Sequence, residues 1–63
     1  MIEPRYVDYI WTDGFREDVF RGENAFKRAQ NIRELRGQGK VWRREFVNGL
    51  LEGVTDVTDD HED

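Results

Sequence analysis

Sixty-three residues, with 10 Lys and Arg, 14 Asp and Glu and no cysteine, allow one small domain and exclude disulfides and thiolate metal sites. A chain this short buries only roughly 60% of the surface its unfolded form exposes, which leaves oligomerisation or pairing with a partner as its available staple. The single histidine, His61, lies in a polar C-terminal stretch, so neither a metal site nor a cofactor is expected.

Arg5 to Thr12 (RYVDYIWT) is rich in aromatic and β-branched residues and predicts a strand. Asp13-Gly14 follows, a dipeptide suited to the positive φ values of a type I′ hairpin turn. Phe15 to Phe20 can return as a second strand, although the charges at Arg16, Glu17 and Asp18 leave a loop as the alternative. Gly22 then punctuates the chain.

Glu23 to Arg36 predicts a helix. Ala25, Ala29, Ile32 and Leu35 recur at three- and four-residue spacing, with Phe26 at the edge of the stripe. Glu23 suits the first turn and Arg33 and Arg36 the last, because each opposes the local end of the helix dipole. Gly37 is placed to end the helix as a C′ glycine.

Lys40 to Val47 (KVWRREFV) and Leu50 to Val57 (LLEGVTDV) flank Asn48-Gly49, a strong hairpin signal. A two-residue turn sets Val47 against Leu50, Phe46 against Leu51, Glu45 against Glu52 and Trp42 against Thr55. Trp42, Phe46, Leu51 and Val57 then share one face, and Val41, Val47, Leu50 and Val54 the other. The like charges of Glu45 and Glu52 oppose that register, and a bulge would relieve them.

The element order predicts an α+β domain over residues 1–57: an antiparallel ββαββ sheet of three to four strands with one α-helix packed on one face. Residues 58–63 are expected to form a disordered acidic tail. In the first hairpin Val7, Tyr9, Trp11 and Phe20 fall on one face, and Tyr6, Ile10, Phe15 and Val19 on the other. Both hairpins therefore carry apolar residues on both sides, whereas a single helix covers only one. The surplus predicts an interface.

Charge is divided along the chain. Lys27 to Arg44 holds seven bases against Glu34, and Asp56 onward holds five acids and no base. Outside that acidic end, ten bases meet nine acids, so the net charge of −4 belongs to the C-terminus. Arg28, Arg33, Arg36, Lys40, Arg43 and Arg44, interleaved with Trp42, have the composition of a phosphate-tracking patch with a stacking aromatic. The same residues also serve as solvated helix flanks and edge guards. Arg outnumbers Lys by eight to two, which suits planar recognition of carboxylate as well as phosphate. The acidic end reads as solubilising chain, or as a competitor folding back on the arginines.

No catalytic residues are expected. The chain has no serine, and Gly37-Gln38-Gly39-Lys40 follows a helix where a phosphate-binding loop precedes one. Paired acids such as Glu17/Asp18 are sequence neighbours, whose side chains diverge in a strand. A small-molecule pocket of a few hundred Å³ hardly fits in so small a domain. No apolar run approaches the roughly 20 residues of a membrane span, and no signal-peptide pattern opens the chain, so a cytoplasmic location and no membrane partner are expected.

In size, strand–helix order and charge split the chain resembles the small phage-encoded accessory proteins that inhibit or redirect host machinery, anti-CRISPR proteins among them. That resemblance implies a non-enzymatic regulator acting in the host cytoplasm. The reading of the residues is a protein-binding regulator or inhibitor that docks on a larger macromolecule, or on its own copy as a dimer. Tyr6, Phe15, Trp42, Arg43 and Arg44 are the expected anchors, since aromatic and Arg side chains dominate interface energies. The alternative is a nucleic-acid-binding module built on Arg28, Arg33, Arg36, Lys40, Arg43 and Arg44.

Overall fold

The computed structural model describes residues 4–60. It is an α+β domain with strands β1 (Arg5–Thr12), β2 (Glu17–Arg21), β3 (Lys40–Val47) and β4 (Leu50–Asp56), and helix α1 (Ala25–Arg36) between the two hairpins. All neighbouring strands are antiparallel, in the order β2-β1-β3-β4. Joining the hairpins through β1 and β3 puts the two eight-residue strands at the centre and leaves β2 and β4 as edges.

The first turn differs from its expected form. Four residues, Asp13 to Arg16, connect β1 to β2, and the Asp13 carboxylate accepts from the backbone N–H groups of Phe15 and Arg16 at 2.8 Å each. A side chain that satisfies two loop amides replaces the tight type I′ geometry. Phe15 therefore sits in the loop rather than in β2, and it is 96% exposed. The second turn does take the expected form: Asn48 and Gly49 have φ of 52° and 81°.

Helix α1 begins later than the sequence suggests. Asn24, in the left-handed region at φ 61°, is the N-cap, which leaves Glu23 outside the first turn. Gly37 closes the helix at φ 69°, donating its N–H to the Arg33 carbonyl at 2.9 Å. Ala25 and Ala29 are buried, and Phe26 and Ile32 pack beside them. Leu35 falls outside the stripe and is 82% exposed, because Arg36 turns toward the sheet and lays its guanidinium over the Trp11 ring.

The core lies between α1 and one sheet face: Trp11, Ala29, Val41 and Val57, bordered by Tyr9, Phe20, Phe26 and Ile32. Trp11 is fully buried, and its indole N–H donates to the Gln38 carbonyl at 3.0 Å. Val57 reaches the core through a β-bulge. Phe46 pairs with Leu51 as expected, but Glu45 pairs with Gly53, and Glu52 is the extra residue. Every position beyond it changes face relative to the uninterrupted register. Val54 moves opposite Arg44, Asp56 opposite Trp42, and Val57 continues beside Val41, donating its N–H to the Val41 carbonyl at 3.0 Å. The bulge also removes the Glu45–Glu52 juxtaposition.

After β4 the chain turns back against the helix. The Gln30 amide donates to the carbonyls of Val57 and Thr58 at 3.0 and 3.1 Å, and Thr58 accepts from the Val41 N–H at 3.0 Å. Asp60 N–H closes a turn onto the Val57 carbonyl. Thus 58–60, the described part of the expected tail, pack along α1, and 61–63 lie outside the described residues. Among the described residues no helix is long and apolar enough to cross a membrane.

Candidate functional site

The pleat assigns alternate residues of β1 and β3 to opposite faces, and the register identifies the side without a helix. Across it run three central pairs: Ile10 with Trp42, Asp8 with Arg44, and Tyr6 with Phe46. On the flanks, Val19 lies beside Ile10 and Arg21 beside Asp8, while Val54 lies beside Arg44 and Leu51 beside Phe46. Glu17, Thr12 and Lys40 form the row at one end, next to Asp56.

This uncovered face mixes apolar and charged groups in a definite order. The Tyr6 and Phe46 rings stack with centroids 4.7 Å apart and planes 11° from parallel. Arg21 lies over Tyr6 and Arg44 over Phe46, each guanidinium carbon 5.3 Å from the ring centre, and Lys40 lies over Trp42 at 5.8 Å. Cations held over ring faces gain from the aromatic quadrupole, and their methylene stems shade the apolar floor. That cover makes Tyr6, Trp42 and Phe46 half-buried. It does not extend to the flanks, where Val19, Leu51 and Val54 are 47%, 52% and 51% exposed.

At the middle of the face Asp8 is fully buried. Arg44 donates to it twice, Nε to Oδ1 and Nη2 to Oδ2, both at 2.7 Å, and Arg21 Nε lies 3.6 Å from Oδ2. The Asp8 hydrogen bond holds the Arg44 guanidinium protonated above its ordinary range, against the opposing effect of its burial. Asp8 and Arg21 are not among the residues expected at a site from the sequence. Their signal was alternation: Asp8 shares its face with Tyr6 and Ile10, where an unpaired acid is expensive.

The expected anchors are therefore distributed over two sides. Tyr6, Trp42 and Arg44 meet on the uncovered face, while Phe15 stands apart in the first loop. Arg43 points to the helix side, where its Nη2 lies 3.5 Å from the Glu45 carboxylate. Arg28 covers the Phe20 ring, Arg33 donates from Nε to the Gly39 carbonyl at 3.2 Å, and Arg36 covers Trp11. The arginines that look contiguous in sequence thus form no single patch: adjacent strand residues Arg43 and Arg44 diverge, and the sheet separates Arg28, Arg33 and Arg36 from Arg44.

The fourth strand adds a second feature. Helix α1 packs on β1, β2 and β3 but makes no contact with β4, all of whose residues are exposed. Its outer edge contains neither proline nor lysine, two common guards of a strand edge. Compared with known proteins, the chain matches no family model, no curated protein and no solved structure.

Proposed function

We propose that the chain is a non-enzymatic binding protein, a regulator or inhibitor that docks through the uncovered sheet face. One observation carries this reading: Val19, Leu51 and Val54, each about half exposed, border the Tyr6–Phe46 and Ile10–Trp42 pairs on the side of the sheet without a helix. Apolar surface collected in this way favours removal from water by a matching surface. Arg21, 63% exposed and held over the Tyr6 ring, supplies the polar component and suits a carboxylate at the border of a protein interface. The resemblance to phage accessory proteins makes host machinery in the cytoplasm the proposed class of target. No small-molecule substrate and no membrane belongs to this reading.

A nucleic-acid module is less well supported, because Arg44 is engaged by Asp8 and the other arginines stand on other surfaces. The two readings separate by salt and by site. Protein capture through the apolar face should persist at about 0.5 M salt, whereas phosphate binding weakens steeply. Val54→Glu should abolish capture and Leu35→Glu, on the helix, should leave it intact. Retention of DNA or RNA at low salt, lost on Arg28→Glu with Arg43→Glu, would overturn the proposal.

A further inference from the structure

We infer that the occupant of the uncovered face is a second copy of this chain, packed sheet on sheet as a two-fold dimer. This rests on the docking reading above and names its partner.

The first support is charge. The face carries three acids, Asp8, Glu17 and Asp56, and three bases, Arg21, Lys40 and Arg44, whereas the whole chain carries −4. A surface selected for a strongly acidic or basic target would show an excess of one sign. Balanced charge around an apolar centre suits a surface of the same composition.

The second support is arrangement. A two-fold axis parallel to the strands, between β1 and β3, sets β1 of one copy over β3 of the other and β2 over β4. Ile10 then meets Trp42 of the second copy, and Tyr6 meets Phe46, in both directions. Asp8 meets Arg44 of the second copy, Glu17 comes beside Lys40, and on the flanks Arg21 lies over Val54 and Val19 over Asp56. The central rows thus match themselves, as an isologous contact requires. The placement follows from the strand order and register alone, in the manner of an aligned sheet sandwich.

The third is area. Four strands spaced about 4.8 Å apart, of eight, five, eight and seven residues at about 3.3 Å per residue, present on the order of 450 Å² of projected surface per copy. Two such surfaces remove on the order of 900 Å² from water, the size of a weak, concentration-dependent association. The dimer would have four layers, helix–sheet–sheet–helix, and would supply the oligomeric staple that a cysteine-free chain of this length lacks.

Sedimentation equilibrium of the full chain from micromolar to millimolar concentration tests this. The expected result is a mass twice the chain's 7.5 kDa. Val19→Glu and Lys40→Glu should each weaken association by roughly tenfold or more, since the first sets a carboxylate over Asp56 of the second copy and the second sets one beside its Glu17. Both positions are exposed, so the monomer fold should survive, with circular dichroism as the check. Adding Glu17→Lys to Lys40→Glu should restore dimerisation, because the pair exchanges sign across the two-fold. A wild-type monomer at every concentration overturns the inference. So does a dimer that Val19→Glu and Lys40→Glu leave intact, which would place the contact elsewhere, such as the β4 edge. If the wild type is monomeric and Val54→Glu still loses captured protein, the docking reading stands and the second copy falls. If it is monomeric and captures nothing, both fall.

Discussion

Arg44 grips Asp8 with both arms of its guanidinium, two hydrogen bonds of 2.7 Å to the two carboxylate oxygens, in the middle of a sheet face that has no helix over it. Asp8 is fully buried there, and the Arg44 side chain is one-quarter exposed. Two charges in such a setting lose much hydration, which their attraction and bidentate geometry offset.

Truncating one partner is therefore predicted to cost more than removing both. Arg44→Ala should destabilise by about 2–4 kcal/mol, because Asp8 is left with only the distant Arg21. A chain of this length holds roughly 3–9 kcal/mol in all, so the single variant should be largely unfolded at moderate urea. Asp8→Leu combined with Arg44→Met should recover most of the loss. Urea titrations of the two single variants and the double variant supply the comparison, and a double-variant loss equal to the sum of the single losses would mean that the pair is not coupled.

Gly39 is held at φ +98°, and a Cβ there would lie 2.5 Å from the Trp11 indole nitrogen and 2.8 Å from the Thr12 carbonyl oxygen. Gly14 has a similar φ of +94° with nothing nearby. The two glycines separate conformational strain from crowding. Gly14→Ala should cost about 1 kcal/mol, the strain of a left-handed residue alone. Gly39→Ala should cost at least about 2 kcal/mol more, since the backbone of Thr12 cannot move without disturbing β1. Thermal melts of both variants check this, and indole fluorescence should change only for Gly39→Ala.

Val57 and Val54 exchange the roles that an unbroken register gives them. Val57 is 5% exposed against Trp11 and Val41, and Val54 is 51% exposed. Val57→Ala should cost about 1–2.5 kcal/mol through lost burial and a residual cavity, and Val54→Ala less than about 0.5 kcal/mol in the monomer. Denaturant midpoints measured on dilute chain decide it. The reverse order would mean that the bulge at Glu52 does not form.

Those two valines mark where sequence legibility ends. The helix, the Gly37 stop, the Asn48-Gly49 turn and the two-faced first hairpin are local: each follows from side-chain period or from backbone geometry that few residues tolerate. The bulge depends on a competition between Glu45–Glu52 repulsion and an unbroken ladder, decided by the gain from burying Val57, a contact 46 residues away from Trp11 in sequence. Asp8 was hidden for the same reason. Its partner is 36 residues distant, and neither residue alone shows that the other completes it. The basic run misled in the opposite way, since proximity in sequence suggested a patch that the pleat and the helix divide.

Asp56 governs how the C-terminal segment responds to acid. Its carboxylate accepts from the Thr58 hydroxyl at 2.6 Å and the Thr58 N–H at 2.9 Å, and these bonds hold its pKa below the ordinary aspartate value, with Lys40 and Arg33 helping. Asp13 is lowered as well, by the Arg16 and Phe15 amides. In both cases the folded pKa lies below the unfolded one, so the folded state binds fewer protons. Their stabilisation is complete above the unfolded pKa and disappears as pH falls through the folded value, from about pH 4 downward. Because Thr58 accepts the Val41 N–H, protonating Asp56 should loosen the attachment of the segment that carries Val57. Amide exchange at Val41 and Val57 is therefore predicted to accelerate, relative to the strand interior, as the pH falls below about 4. Asp56→Asn should remove most of this acid dependence while leaving the Asp13 loop's response in place. An unchanged exchange profile in that variant would show that the Asp56–Thr58 contact does not anchor the end of the sheet.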